Sequence, residues 1–216
     1  MDENRCRSTR GSIRQRLGGF GSAHGFTLLE LLIVIGIGLT VSAMALVLLQ
    51  GSLNSTKADS ALEMALGQIR QVHERAIDER HVYRLTFTAP RTIQTDRIDL
   101  AGTVTTPVFV SSIDLPQSVS FTIVSGTPAS NTPNGFGSAN NAIDLSVNNA
   151  TGVTQVYFQA DGRVLDSLNR VANGIVYMAR PGDLTSTRAI TVFGATGRMK
   201  GWKLQKNGTA TSWGQM

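Results

Sequence analysis

Cysteine is nearly missing from this chain of 216 residues: Cys6 stands alone, and nothing after residue 25 carries a thiol. An intramolecular disulfide is therefore excluded. Charged residues make up 16% and aromatic residues 6%, both low for a soluble enzyme. The formal net charge of +5 is unevenly placed, because Arg5, Arg7, Arg10, Arg14 and Arg16 against Asp2 and Glu3 put +3 of it in the first 25 residues. The basic balance belongs mostly to that N-terminal segment, which is not the pattern of a general nucleic-acid-binding protein. No proline precedes Pro90, so nothing in the apolar part of the chain supports a helix kink. There is no nucleophile elbow, phosphate-binding loop or zinc-protease helix, so no enzymatic activity, cofactor or metal is expected. No internal repeat occurs.

What is present begins with Glu30, the only charge between Arg16 and Lys57. It lies near the start of the run Phe26-Thr27-Leu28-Leu29-Glu30-Leu31-Leu32-Ile33-Val34-Ile35, which continues with little polarity to Leu49. About 24 residues make a helix of roughly 36 Å, enough to cross a bilayer core. The arginine-rich flank places the N-terminus in the cytoplasm and the rest of the chain outside. A carboxylate at a bilayer centre costs about 2.5–3.5 kcal/mol, so it needs a partner or a purpose. A plain signal-anchor accounts for the span and leaves Glu30 unexplained. The apolar run is too long for an ordinary secretory signal, and no Ala-x-Ala site follows it.

Gly25-Phe26-Thr27-Leu28-Leu29-Glu30, following a basic leader, closely resembles the type III signal of type IV pilins and of the pseudopilins of type II secretion. The resemblance implies cleavage by a prepilin peptidase between Gly25 and Phe26, followed by N-methylation of Phe26. The new amine at Phe26 then offers a positive partner at nearly the depth of Glu30, so the carboxylate of one subunit can pair with the amine of the next. A carboxylate in the first helical turn is also favoured by the helix dipole. Glu30 is the expected assembly residue.

Beyond Lys57 the polarity rises while helical spacing persists. Ala58, Leu62, Ala65, Ile69, Val72 and Ala76 mark one apolar face, so a single long helix ending near Arg80 is predicted. Gly51 and Ser52 mark the junction between its two halves. The pattern then turns to short alternating runs: Val82–Phe87, Thr92–Leu100, Val104–Val110, Val119–Val124, Ala142–Val147, Thr154–Gln159, Gly174–Ala179, Ala189–Phe193 and Arg198–Leu204. Ser125–Asn141, rich in Ser, Gly, Asn and Pro, reads as a long flexible loop. Asp161-Gly162 and Gly194–Gly197 read as turns. The expected organisation is a leader over 1–25, a transmembrane helix over 26–49, an amphipathic continuation over 50–80 and a β-rich periplasmic domain over 81–216. The fold class is α+β, a long N-terminal helix packed on an antiparallel sheet.

Phe158…Asp161-Gly162-Arg163, Ile190–Val192 and Gly197-Arg198 resemble the C-terminal domain of the GspH/FimT group of minor pseudopilins. That resemblance implies an inner-membrane subunit added at a filament tip. Its partners would be other major and minor pseudopilins or pilins, prepilin peptidase, the inner-membrane assembly platform and membrane lipid. Both type II secretion and type IV pili use this processing signal, so the two memberships stay open.

No acid follows Asp183, while Arg188, Arg198, Lys200, Lys203 and Lys206 accumulate. On an extended strand Arg198, Lys200 and Trp202 share one face, alternating with Met199, Gly201 and Lys203. Two cations beside an indole suit phosphates and a stacked base, which makes Arg198, Lys200, Trp202 and Lys203 candidate DNA contacts. Some FimT-like minor pilins implicated in DNA uptake have Gly-Arg-x-Arg at this turn. Here Gly197-Arg198-Met199-Lys200 keeps the charge but lacks the second bidentate fork. The same residues also read as a charged edge strand that discourages aggregation. His73 and His81 are eight residues apart, on one side of a continued helix, but have no third ligand; solvated helix-end histidines are the plainer reading. His24 falls within the leader.

Overall fold

The computed structural model describes residues 26–101, 104–137, 140–145, 153–208 and 210–216, with side chains placed at all of these except 46–52, 54, 100, 101 and 104. Residues 1–25, with the expected leader, Cys6, His24 and Gly25, lie outside that range. The chain divides into two units, Met1–Ala45 and Leu46–Met216. In the first, the stretch Leu28–Ala45 is helical, long and apolar enough to cross a membrane, and none of it is buried.

The helix α1 is assigned from Leu28 to Asp78, 51 residues, without interruption at Gly51 or Ser52. It stops where Arg80 adopts a left-handed φ of 54°, after the Glu79 N–H has closed a last bond on the Arg75 carbonyl at 2.9 Å. Beside this end the Tyr83 hydroxyl donates to Glu79. Burial, reinforced by that carboxylate, pushes the Tyr83 phenol up to about 12.

Among the described residues the second unit holds ten strands: β1 Val82–Thr88, β2 Thr92–Ala101, β3 Val104–Asp114, β4 Ile143–Asp144, β5 Gln155–Phe158, β6 Val164–Leu165, β7 Gly174–Met178, β8 Arg188–Phe193, β9 Arg198–Asn207 and β10 Ala210–Gln215. They form two antiparallel sheets, ordered β3-β2-β1-β5-β6 and β10-β9-β8-β7-β4. The fold is α+β.

The core is built around one stripe of α1. Ala58, Ala61, Leu62, Ala65, Leu66, Ile69, Val72 and Ala76 are buried, recurring at the three- and four-residue steps of a helical face. Most of this stripe shares one apolar cluster with Leu85 and Phe87 of β1, Phe158 of β5, Met178 of β7 and Ile190 of β8, so a single helix face serves both sheets. Small side chains let the strands come close. At Gly201 of β9 an added Cβ would lie 2.9 Å from Leu66 Cδ1 and 3.2 Å from Leu62 Cδ2. The buried Gln68 amide donates to Thr95 Oγ1 at 2.9 Å and to Ser111 Oγ at 3.2 Å, joining the helix to β2 and β3.

A charged contact joins helix and sheet at Arg188, fully buried on β8. Its Nε donates to Asp59 Oδ1 at 2.6 Å, its Nη1 to the Thr185 and Thr187 carbonyls, and its Nη2 to Ser55 Oγ at 3.2 Å. Lys203 Nζ adds a 3.5 Å contact to Asp59 Oδ2.

Some sequence expectations change. Val119–Val124 buries Val119, Phe121 and Val124 but, among the described residues, makes only one bridge, Ser120 to Ala179. Its alternation is that of an extended core-lining segment without a ladder partner. Within Ala142–Val147 only Ile143–Asp144 pairs, and Val147 lies outside the described residues. The Ser125–Asn141 loop is seated on the second sheet through the Asn134 Nδ2 bond to Thr191 Oγ1 at 2.8 Å and the edge of Phe136 on Phe193. Strand β10 was missed, although Gly208 marks a tight hairpin: it takes a φ of 63° directly after Asn207, the last residue of β9, which pairs with Ala210.

The ion pair generates a stability prediction. Asp59→Ala leaves a buried guanidinium without its carboxylate and should cost about 2–3 kcal/mol, read as a lower urea midpoint for the full chain in detergent. Arg188→Met combined with Asp59→Leu removes both charges and should cost less than Asp59→Ala alone. Equal midpoints for Asp59→Ala and the unaltered chain would contradict this assignment.

Candidate functional site

The first candidate region is the start of α1. Thr27 stands just before the helix; its Oγ1 accepts the Glu30 N–H at 3.2 Å and its carbonyl accepts the Leu31 N–H at 3.1 Å. Thr27-Leu28-Leu29-Glu30 therefore has the spacing of a capping box, with Glu30 three residues after the cap. Sequence reasoning read Glu30 as a charge and overlooked Thr27, although the Thr-x-x-Glu spacing was there to see. The cap fixes Glu30 in the first turn, where unsatisfied N–H groups favour negative charge. Phe26 is 80% exposed, and Glu30 and the apolar side chains of the described helix start are exposed with it. Among the described residues no cation pairs with Glu30. Gly25, the other half of the expected cleavage bond, lies outside the described residues.

Residues 21–46 match the prokaryotic N-terminal methylation motif. The chain carries a type IV prepilin-like signal. No curated protein and no solved structure matches it. The signal supports a pilin- or pseudopilin-type protein processed by prepilin peptidase, and it implies assembly with other pilins. Together with the bare apolar helix it fits a single-pass inner-membrane anchor.

The second candidate region is the basic strand β9, whose residues the structure separates. Gly201 faces Leu62 and Leu66 of α1, and Lys203, two residues on, reaches Asp59 of the same helix. Arg198, Lys200 and Trp202 take the alternate positions. There the Arg198 guanidinium lies 4.7 Å over the Phe193 ring, and Lys200 Nζ lies 5.7 Å from the Trp202 ring while donating to Gln215 Oε1 at 3.1 Å. Trp202 Nε1 donates to Thr191 Oγ1 at 3.0 Å, and its ring packs with Trp213 against Ile175, Tyr177 and Ala189. Of the five C-terminal cations, Arg188 is buried and Lys203 is held by Asp59, so neither shares a surface with Arg198 and Lys200. The indole is committed to packing rather than presented as a stacking platform. Strand β9 is also not an edge, because β10 pairs along it.

The two histidines do not come together. His73 lies in α1, half-buried, hydrogen-bonded to the Gly162 carbonyl at 2.9 Å and set edge-on to Phe158. It is therefore no solvated histidine but a pin between the helix and the β5–β6 turn. A Cβ at Gly197 would come within 2.3 Å of His73 Nε2, so the turn before β9 closes on the same ring. His81 is exposed beyond the helix end. No group of three potential metal ligands occurs among the described residues.

The cap makes a local prediction. Thr27→Ala removes the acceptor of the Glu30 N–H, a loss of about 1 kcal/mol or roughly fivefold in local opening. Hydrogen exchange of the full chain in micelles should show that amide exchanging several-fold faster, with residues 60–75 unaffected. Unchanged exchange at Glu30 would remove Thr27 from the cap.

Proposed function

We propose that this chain is a minor pseudopilin of the GspH/FimT type, a structural subunit of a type II secretion pseudopilus and not an enzyme. In this reading prepilin peptidase cuts between Gly25 and Phe26 on the cytoplasmic side and the Phe26 amine is methylated. The domain from residue 81 lies in the periplasm, and the subunit joins other pseudopilins at the filament tip through the inner-membrane assembly platform. The observation that carries it is the register of Gly25, Phe26 and Glu30 at the head of a bare apolar helix. A carboxylate there costs about 2.5–3.5 kcal/mol at a bilayer centre unless a cation meets it. The Phe26 amine of an adjacent subunit is the cation that processing creates. Thr27 supports the pairing by fixing Glu30 in the first turn.

Membership of a type IV pilus uses the same signal and the same Glu30 chemistry. DNA capture is the less favoured extension of that alternative, since Arg198 and Lys200 stand apart from Lys203 and Trp202 is packed. Deleting the gene and scoring protein export, twitching and transformation side by side separates the two machines; loss of export alone is the expected result.

Glu30→Ala should leave cleavage largely intact and lower recruitment into filaments severalfold, scored by cross-linking to neighbouring subunits in cells. Incorporation at the level of the unaltered chain would remove Glu30 from assembly.

A further inference from the structure

The outer faces of the two sheets differ. On the second sheet, Ile175, Tyr177 and Ala189 are covered by Ile123, Phe136, Trp202 and Trp213. On the first sheet a cavity of about 620 Å³ lies open, which is within the size range of small-ligand sites. Its apolar lining comes from Val82, Ile98, Pro107 and Tyr157 of four adjacent strands. Arg84 lies among them, and its charge is already answered: Nε and Nη2 donate to Asp96 Oδ2 at 3.1 and 2.7 Å. Asp96 Oδ1 takes the Gln94 amide at 2.8 Å. The Asp96 bond holds the Arg84 pKa above its ordinary value, and with the two groups paired at 2.7 Å the floor presents no unpaired cation.

The polar lining is different in kind. Thr105, Gln159, Ser167 and Asn169 border the cavity, the first, third and fourth of them exposed, and among the described residues their side chains have no hydrogen-bond partner. Ser167 and Asn169 sit on a tight turn pinned by the buried Asp166, whose carboxylate accepts the Leu168 and Arg170 N–H groups at 2.8 and 2.9 Å and Arg170 Nε at 2.8 Å. The unspent groups are amides and hydroxyls, each able to donate and to accept.

We propose that this cavity is a binding site for an uncharged saccharide. Hydroxyls of a sugar match side chains that both donate and accept, while the C–H face of the ring matches Tyr157, Pro107 and Ile98. A neutral floor gives no advantage to a phosphate or a carboxylate. An extended peptide is disfavoured because β1, β2 and β5 are each paired on both sides, and the free edge of β3 beside the cavity is interrupted by Pro107, which has no N–H to donate. The site is independent of the filament reading above.

The test uses the full chain in nanodiscs, which avoids sugar-based detergents, titrated with chitotetraose, maltotetraose and an uncharged Ser-Asn-Gly peptide by saturation-transfer NMR and calorimetry. The expected result is saturable binding of a tetrasaccharide, weakened at least tenfold by Gln159→Ala and by Asn169→Gly. Glycine keeps the left-handed backbone of Asn169, whose φ is 58°, so the turn should survive. A preference for chitotetraose points to wall-type glycans and for maltotetraose to exported or storage glycans; either supports the site. No saturable sugar binding, sugar binding unaffected by both substitutions in chains with unchanged melting, or tighter binding of the peptide would overturn it.

Discussion

The domain depends on how closely two sheets can approach one helix. Between Ala58 and Ala76 half of the buried stripe is alanine, and opposite it a Cβ at Gly201 would press against Leu66 and Leu62. Close packing of this kind gives many weak dispersion contacts and leaves few positions for polar groups. Those that do enter are fully engaged: Gln68 bridges two strands, and Arg188 satisfies four oxygen acceptors while facing Asp59. His73 completes the set by holding the β5–β6 turn, with the Gly197 turn closed against its ring. Helix and sheets are thereby fixed in register along the length of the stripe.

The same α1 carries a second and opposite composition. From Leu28 to Ala45 it is apolar all round and unburied within the chain, which in water would be untenable and in a bilayer is the normal state. Glu30 is the exception in that stretch. Its position in the first turn, capped by Thr27, falls inside the prepilin-like signal over residues 21–46. In the function proposed above, this carboxylate, costly in the free chain, finds its cation on a neighbouring subunit.

Much of this was legible in the sequence, for identifiable reasons. The helix shows itself through a three- and four-residue period that survives the change from apolar to amphipathic composition. Strand β1 shows itself because Tyr83, Leu85 and Phe87 point inward while their neighbours are half-exposed. The failures share a cause, which is that pairing and facing are long-range. Val119–Val124 alternates like a strand but finds no ladder. Arg188 and Lys203 looked like members of a surface cluster, yet their partner Asp59 lies 129 and 144 residues away. Trp202 looked available for stacking until Trp213, from a strand the sequence reading did not include, was placed beside it. Thr27 and the turn at Gly208 are different, since local sequence alone carried both signals.

The central claim is that Phe26 becomes the methylated N-terminus of an anchored subunit whose Glu30 then meets a neighbouring amine. Intact-mass and N-terminal fragment mass spectrometry of the protein recovered from membranes tests it most directly. The account predicts a chain that begins at Phe26 and carries one added methyl group on its terminal nitrogen, a form lost when prepilin peptidase is absent. A chain that retains residues 1–25 in the presence of the peptidase, or begins at another residue, would contradict it.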